Sequence, residues 1–544
     1  MLNNSHIESL EHQKRVFDNQ KQRGLELENT YNFIVCGCGT SGAVVARRLA
    51  EQLDATVLVL EAGGTDDVSN VRNAGEWITN LGSERDWCFT AQPNPNLNDR
   101  TIPMNMGKVL GGGSSINAMY WSRGHRTDWD SLAADVEDPD WNYAAVAALY
   151  KKIENWKGFP DSQHRGESGL VHVTPTADLS SIPQACLSAY GDYGIPLFAN
   201  QNGSMMESSE GASLSDVCIQ DGQRKSIYRS YLYPLMDQPN VTVLTGALVH
   251  RVLFDGKRAV GVECTIDGRP HSFSASHEIV LSLGAVHTPK VLMQSGIGDA
   301  DELRLFDIPV VEGLSGVGRN FQDHCMVAGC IWECPGSPDT LGIPHNAIPQ
   351  ANAFVRSSAT LDSPDVQLIQ AGFPLASSEI GQQYTFPDKS WTLLPVLVRP
   401  RSTGRLRLTG KRSTDPIAIE ANMLSDPADL AALVSAIKMV NEISRSSHLK
   451  PFIKRQIAPG PLHGASLENF VRDAVVSTWH QTCTAKMGND RESVVSSTLQ
   501  VHGIQNLTVA DGSVLRRVTT VNTMAPCVVI GERAALSVKR RHNI

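Results

Sequence analysis

The sequence predicts an α/β protein with more than one domain, and three observations carry that prediction. The chain has 544 residues, too many for one ordinary core, so two domains or one large discontinuous fold is expected. Its composition, 41% hydrophobic and 19% charged, is that of a globular protein. Residues 32–64, NFIVCGCGTSGAVVARRLAEQLDATVLVLEAGG, set an apolar run, a glycine turn, a helical pattern and a second apolar run in that order.

Each element of that front unit has a physical reason. Residues 33–36 are a short apolar run that suits a buried strand. Gly37 permits a tight turn, Gly39 lets backbone approach a pyrophosphate, and Gly42 lets the following helix lie close to the sheet. The helical pattern is expected over 43–52 and the second strand over 57–60. The helix N-terminus offers free N–H groups and a partial positive charge to phosphates. Glu61 follows Gly42 by 19 residues, where a carboxylate can accept hydrogen bonds from ribose hydroxyls. A carboxylate there disfavours a 2′-phosphate, which argues against NADP and leaves both FAD and NAD open.

The rest of the chain narrows the class. The net charge is −9 with no basic stripe, which argues against nucleic acid as a partner. Eleven scattered cysteines fit reduced thiols in a cytoplasm better than a disulfide framework. The first 30 residues have no apolar core of signal-peptide length and are expected to form a polar, helical extension. No stretch reaches the roughly 18 apolar residues of a membrane span. The terminal KRRHNI is expected to be a solvated helix end.

Residues 106–130, MGKVLGGGSSINAMYWSRGHRTDWD, are the second unusual segment. Three glycines followed by two serines do not make a stable helix interior. They make a donor-rich backbone that can press against a flat or phosphorylated ligand, and the apolar residues that follow suggest burial. This segment resembles the first signature of the glucose–methanol–choline oxidoreductase family, with Gly107, Gly111, Gly112, Ser114, Asn117, Trp121, Gly124 and Asp130 in register. GAVHTPKVLMQSGIG, residues 284–298, resembles the second signature. GVGRNFQDH at 316–324, VRPRSTGRLRL at 398–408, DPIAIEANMLSDPADLAAL at 415–433 and the block 502–535 are also similar to the family.

The resemblance implies an α/β fold with a discontinuous Rossmann-like FAD-binding domain over 31–159, 227–325 and 475–544. A substrate domain of mainly antiparallel sheet plus helices is expected over 160–226 and 326–474. FAD is expected to be contacted by Gly37, Gly39, Thr40, Ser41, Gly42 and Glu61 of the front unit. Gly107, Gly112, Ser114, Asn117 and Ala118 of the glycine–serine segment join them, with Val249 through its backbone and Asp511, Gly512 and Thr523 near the end. Some members link flavin through a histidine just before the asparagine. Here that position is Ile116, so non-covalent FAD is expected.

His480 sits alone in STWHQTCTAKMG, residues 477–488, with no metal-ligand spacing around it. On its own, such a histidine reads as structural. Family members place a histidine there, and a histidine or asparagine at the position of Asn522, facing the flavin N5. An alcohol gives up hydride readily only as its oxygen loses a proton. A neutral imidazole, ordinarily titrating near neutrality, suits that proton transfer, and a side-chain amide can hold the oxygen in line. His324 is expected to be structural or to support His480, and His287 and His502 to be surface or packing residues. Many members carry glycine where this chain has Cys483, and asparagine where it has Met524. Cys483 is expected in the core.

The expected activity is FAD-dependent oxidation of a small-molecule alcohol, with oxygen or a quinone-like compound as electron acceptor. Three other readings remain at this level. They are a non-redox family member such as a hydroxynitrile lyase or photodecarboxylase, an NAD-dependent dehydrogenase, and an inactive flavin scaffold. The glycine–serine segment argues against the NAD enzyme, and the retained pair His480 and Asn522 against the scaffold. Residues 345–354 and 367–374, HNAIPQANAF and QLIQAGFP, mix amide and apolar groups that suit sugars, aromatic alcohols or aliphatic alcohols.

Overall fold

Two sheets organise the chain in the computed structural model, which describes residues 4–176, 181–335 and 350–544. The first grows from the front unit. Val57–Leu60 is buried along its whole length, as a strand covered on both faces must be. It lies parallel to Thr30–Cys36 on one side and to Val241–Leu244 on the other. Thr30–Cys36 pairs in parallel with Arg269–Leu281, which pairs in parallel with Leu507–Val509. An antiparallel meander of Ala247–Asp255, Arg258–Ile266 and Arg269–Leu281 completes seven strands.

The helix of the front unit spans Thr40–Ala50, starting three residues before the expected 43 and ending two before 52. Its first turn is polar, so the apolar period becomes visible only at Ala43. The last helix, Met524–His542, packs across it. Gly531 makes this possible, because a Cβ there meets Val44 Cβ at 2.8 Å and Ser41 O at 2.9 Å. Arg48 adds a two-pronged bond to Glu532 at 2.8 and 2.9 Å. The terminal basic residues are not simply solvated. Arg541 and His542 reach the buried Glu278 carboxylate at 3.0 and 2.8 Å, because an interior carboxylate needs partners.

The second sheet has eight strands, and all its pairings are antiparallel. Its centre is Ser390–Leu397 beside Val366–Ala371, both fully buried. Leu393, Leu397, Val366 and Leu368 face a core shared with the helix Pro427–Ile443. The opposite face carries Ile369, Ala371, Leu394 and Val396 in a separate apolar cluster with Met326. The expected combination of a Rossmann-like sheet with a mainly antiparallel one is therefore present. A small sheet of Glu154–Trp156, Val171–Pro175 and Asp216–Val217 runs across the boundary expected at 159/160. Residues 345–349 of the HNAIPQANAF stretch lie outside the described residues, while Ala351–Val355 is a strand of the second sheet.

The N-terminal extension is helical over Asn4–Leu25 and is docked. Gln20 Oε1 accepts from Val243 N at 2.9 Å, and Gln20 Nε2 donates to Val241 O at 3.0 Å and Met236 O at 2.7 Å. Asn19 Nδ2 donates to Met236 O and Gln238 O.

Candidate active site

One elongated cavity is lined from both sheets, and it brings together the residues singled out in the sequence. Gly37, Gly39, Thr40, Ser41, Glu61, Gly107, Gly112, Ser114, Asn117, Ala118 and Val249 all line it, with Asp511, Gly512, Thr523, His480 and Asn522. Gly42 does not line it and sits underneath. A Cβ on Gly42 meets Gly37 O at 2.0 Å, which makes it a packing glycine.

One end of the cavity is built of backbone. Gly37 has φ +92°, and a Cβ there meets Ser282 O at 2.4 Å. Gly112 has φ +52° and lies so close to the front turn that a Cβ meets Gly39 Cα at 2.8 Å. Two glycine segments 73 positions apart in the numbering thus touch. Gly39 and Gly113 differ from these. A Cβ on Gly39 has only Ser282 O at 4.0 Å, and one on Gly113 has nothing within 4 Å, yet both line the cavity. Their missing side chains leave ligand space rather than packing space. The helix Thr40–Ala50 opens there with no side-chain cap. No lysine or arginine lines the cavity among the described residues. An anionic group held there meets no cationic side chain and rests on neutral donors, backbone N–H groups and hydroxyls such as that of Thr40, which suits a dinucleotide pyrophosphate. The donor set therefore fits FAD.

Glu61 is 6% exposed and accepts from Cys38 N at 2.9 Å and Gly63 N at 2.8 Å. Burial pushes its carboxyl up to about 7, against the lowering by those two N–H groups. Asp511 ties the second signature to the C-terminal block. Its Oδ2 accepts from Gly284 N and Thr288 Oγ1, and its Oδ1 from Ser513 N. Asn117 Oδ1 accepts from Met119 N at 3.0 Å and from Arg224 Nη1 at 2.8 Å, and Asn117 Nδ2 donates to Met524 Sδ at 3.2 Å. Sequence reasoning missed Arg224. It is 2% exposed and holds backbone oxygens of Val71 and Ser114, and no pattern in the chain marks it.

The other end is built of side chains. His480 N donates to Asp323 Oδ1 at 2.8 Å, which fixes its backbone. Its Nδ1 lies 2.9 Å from His324 Nδ1, and its Nε2 lies 3.3 Å from Asn522 Nδ2. The two rings meet edge to face, with centroids 4.9 Å apart. His324 Nε2 lies 2.9 Å from Thr519 O. A carbonyl oxygen only accepts, so His324 carries its proton on Nε2 and presents a bare Nδ1. His480 must then donate from Nδ1, and its Nε2 keeps a free lone pair toward the cavity. Burial holds His324 down to about 4, so it stays neutral. His480 is lowered well below its ordinary value, first by burial and then by His324. The expectation of a near-neutral pKa is corrected downward for that reason.

His324 is thus a supporting residue, 156 positions from the ring it orients. Cys483 is fully buried and outside the cavity, as expected of a core residue. Its φ of +74° lies in the region glycine favours, which explains why glycine suits that place. Met524 lines the cavity and opens the last helix. His502 packs against Gly488 O at 2.9 Å. His287 is no surface residue. It lines the cavity against Trp87 and Phe89, and burial brings it down to about 3.

Beyond His480 the wall is apolar. Met326, Ile369, Ala371, Phe373, Leu375 and Leu394 line it, from the inner face of the second sheet and the turn after it.

Comparison with known proteins gives this architecture its relatives. The GMC oxidoreductase profile matches residues 31–326 with its N-terminal part and 400–531 with its C-terminal part. Mitochondrial choline dehydrogenase of Mus musculus is 32% identical over 553 aligned positions, covering 94% of this chain and 90% of the mouse protein. An alcohol dehydrogenase [acceptor] of Pseudomonas putida is 31% identical, covering 94% of this chain and 96% of its own. The crystal structure of pyridoxine 4-oxidase from Mesorbium loti shares the fold, with a TM-score of 0.88, 24% identity and coverage of 94% of this chain and 99% of that one. The two-sheet architecture, the glycine-lined cavity and these matches together make the chain a member of the GMC oxidoreductase family.

Proposed function

We propose that the protein oxidises an alcohol CH–OH to a carbonyl using non-covalently held FAD, with His480 as the base and Asn522 as the anchor of the substrate oxygen. The observation that carries this is the bare His480 Nε2 beside an amide N–H, 3.3 Å apart, at the junction of the backbone-built and apolar parts of the cavity. FAD, held by the glycine-lined end of the cavity, would supply the two-electron acceptor for the hydride. The protein does the rest. His480 Nε2 accepts the hydroxyl proton, and Asn522 Nδ2–H donates to the oxygen as negative charge grows on it. The hydride leaves the same carbon, so loss of one proton and one hydride yields the C=O. Retention of both residues favours oxidation over a lyase reaction.

Ile116 at the cavity surface has no group to attach a flavin, which supports non-covalent binding. The apolar wall supports an aliphatic or aromatic alcohol over a sugar, because a buried hydroxyl without a partner is disfavoured there. The two large sheets support a division into an FAD part and a substrate part, with the boundaries near 325 and 475 displaced, since Cys325–Val327 and Val475–Ser477 pair within the second sheet. Oxygen or a quinone-like compound would reoxidise the flavin. All eleven cysteines are unpaired, which supports a reducing compartment such as the cytoplasm, and no helix among the described residues is long and apolar enough to cross a membrane.

The test is anaerobic mixing of the yellow holoenzyme with benzyl alcohol, octan-1-ol, choline and glucose, followed by admission of air. Bleaching by the first two supports the reading, and return of colour in air identifies oxygen as acceptor. A flavin that none of a broad alcohol panel bleaches would falsify alcohol oxidation. Flavin that stays with the acid-denatured chain would overturn non-covalent attachment.

A further inference from the structure

We propose that Ser122, Gln201, Asn352 and Gln367 are positioning residues that hold the Asn522 amide with its N–H toward His480 Nε2. The proposal rests on the base-and-anchor reading of His480 and Asn522 and extends it to four residues that do not line the cavity.

The orientation follows from one fixed end. Thr519 O accepts from His324 Nε2, so His324 Nδ1 accepts from His480 Nδ1, and His480 Nε2 is left as an acceptor. The Asn522 group facing that nitrogen must then be its N–H, and its Oδ1 faces Ser122 Oγ at 3.5 Å. Ser122 therefore donates, and its lone pair is free for Gln201 Nε2. Gln201 Oε1 in turn accepts from Asn352 Nδ2 at 3.3 Å, and Asn352 Oδ1 accepts from Gln367 Nε2 at 3.0 Å. Asn352 Nδ2 spends its other hydrogen on Ser215 Oγ at 2.7 Å, which reinforces the same setting. Every hydrogen bond from Gln367 to Thr519 points the same way. The chain ends at Gln367 Oε1, a buried oxygen with no hydrogen-bond partner among the described residues.

Burial makes this setting hard to reverse. Ser122, Gln201 and Asn352 are 0% exposed and Gln367 is 1% exposed, so bulk water does not replace a broken link. Turning Asn352 alone sets like groups against each other at both Gln201 and Gln367, so these three amides hold one another's setting. Side-chain amides do not relay protons, so the chain orients and does not conduct.

The consequence for the reaction is direct. A substrate oxygen between His480 and Asn522 donates its hydrogen to Nε2 and accepts from the amide N–H. With the amide reversed, it faces two acceptors, and the growing negative charge meets a carbonyl oxygen. The same chain opposes protonation of Nε2, because an Nε2–H faces the Asn522 N–H. The other titratable groups around the ring are His324, held neutral by burial, and Asp323, whose carboxyl burial pushes up to about 7 and which accepts from His480 N and the Ser477 hydroxyl. Asp128 stands further off, holding Thr520 N and Oγ1.

The experiment uses the FAD-loaded protein and a double-mutant cycle. Ser122→Ala is expected to lower the limiting rate of flavin reduction by about 10-fold, the effect of one hydrogen bond to a reacting group. It should raise the midpoint of the pH step by about one unit, since a freed amide can turn its oxygen to an imidazolium. FAD content should be unchanged. In an Asn522→Ala background the same substitution should change the rate less than about 2-fold. Nitrogen NMR of the labelled His480 ring, without substrate, should show a bare Nε2 and a protonated Nδ1, with a higher midpoint in Ser122→Ala. Should Ser122→Ala fail to fold, Gln201→Leu and Gln367→Leu carry the same cycle. Equal slowing in both backgrounds, an unmoved midpoint, or a resting Nε2–H tautomer overturns the proposal. A silent Asn522→Ala sinks the anchor reading itself. An impaired Asn522→Ala beside a silent Ser122→Ala overturns only the chain.

Discussion

The two ends of the cavity are made of different material. The dinucleotide end is backbone: Gly37, Gly39, Gly112 and Gly113 with a helix N-terminus, where what matters is the side chain each residue lacks. The end we propose to be the reacting one is side chain: His480, Asn522 and His324, where what matters is which nitrogen holds a proton. The first end recognises by shape and by fixed N–H dipoles, so its tolerance is steric. The second recognises by protonation state, so its tolerance is set by neighbours and pH. A substitution at one end should therefore leave the other end's property nearly intact.

The sharpest test of that separation is Gly42→Ala. Its Cβ has to displace backbone oxygen from 2.0 Å, so the holoenzyme should not form, and protein purified without yellow colour is the expected result. Full FAD retention would mean that the turn is soft and the steric account wrong. At the opposite end, His480→Ala should retain FAD yet reduce it about 10²–10⁴-fold more slowly, the range general base catalysis supplies. Asn522→Ala should cost about 10–10³-fold, since it removes a hydrogen bond and leaves the proton acceptor. In the wild type, stopped-flow reduction should rise with pH as His480 loses its proton and then level off, with the midpoint below the ordinary histidine value. Loss of colour from His480→Ala would instead make that histidine structural.

Glu61 gives the smallest effect and the finest discrimination. Its carboxyl is raised to about 7 by burial, so the protonated form stabilises the fold at low pH and that contribution fades as pH rises through about 7. A ribose hydroxyl prefers the ionised form. FAD should therefore bind more tightly as pH rises through about 7, measured by fluorescence titration of the apoprotein, and Glu61→Gln should flatten the dependence. Glu61→Ala should lose about 1.5–3 kcal/mol of FAD affinity while the remaining holoenzyme reacts normally. A mutant that keeps its flavin but reduces it slowly would join the two ends and break the comparison.

The same difference decides what was legible in the sequence. Gly37, Gly39, Gly42 and Glu61 fall within 25 residues, and their spacing alone reports a turn that only glycine makes, so the dinucleotide end could be read from local physics. His480 offered no such spacing. Its partners come from positions 323, 324 and 522, and only the family resemblance singled it out with Asn522. His324 reads from the sequence as structural or supporting, but that its tautomer leaves His480 Nε2 as an acceptor depends on the Thr519 carbonyl, a backbone group that no residue type announces. Ser122, Gln201, Asn352 and Gln367 were invisible for the same reason, since polar residues in loops and strands look alike until the sheet assembles. The helix start at Thr40 was missed because its first turn is polar. The docking of Arg541 and His542 was missed because Glu278 lies more than 260 residues away.

The helix at the N-terminus has a further meaning. Gln20 accepts from the N–H of Val243 and donates to the oxygen of Val241, the pair of bonds that a neighbouring strand would make. One side-chain amide thus impersonates a peptide group along the outermost strand of the first sheet. A bare row of such groups is a template on which a second chain can add its own strand, the usual beginning of aggregation. The extension acts as a selvage. It finishes the cloth at the edge where the weave would otherwise continue into another molecule.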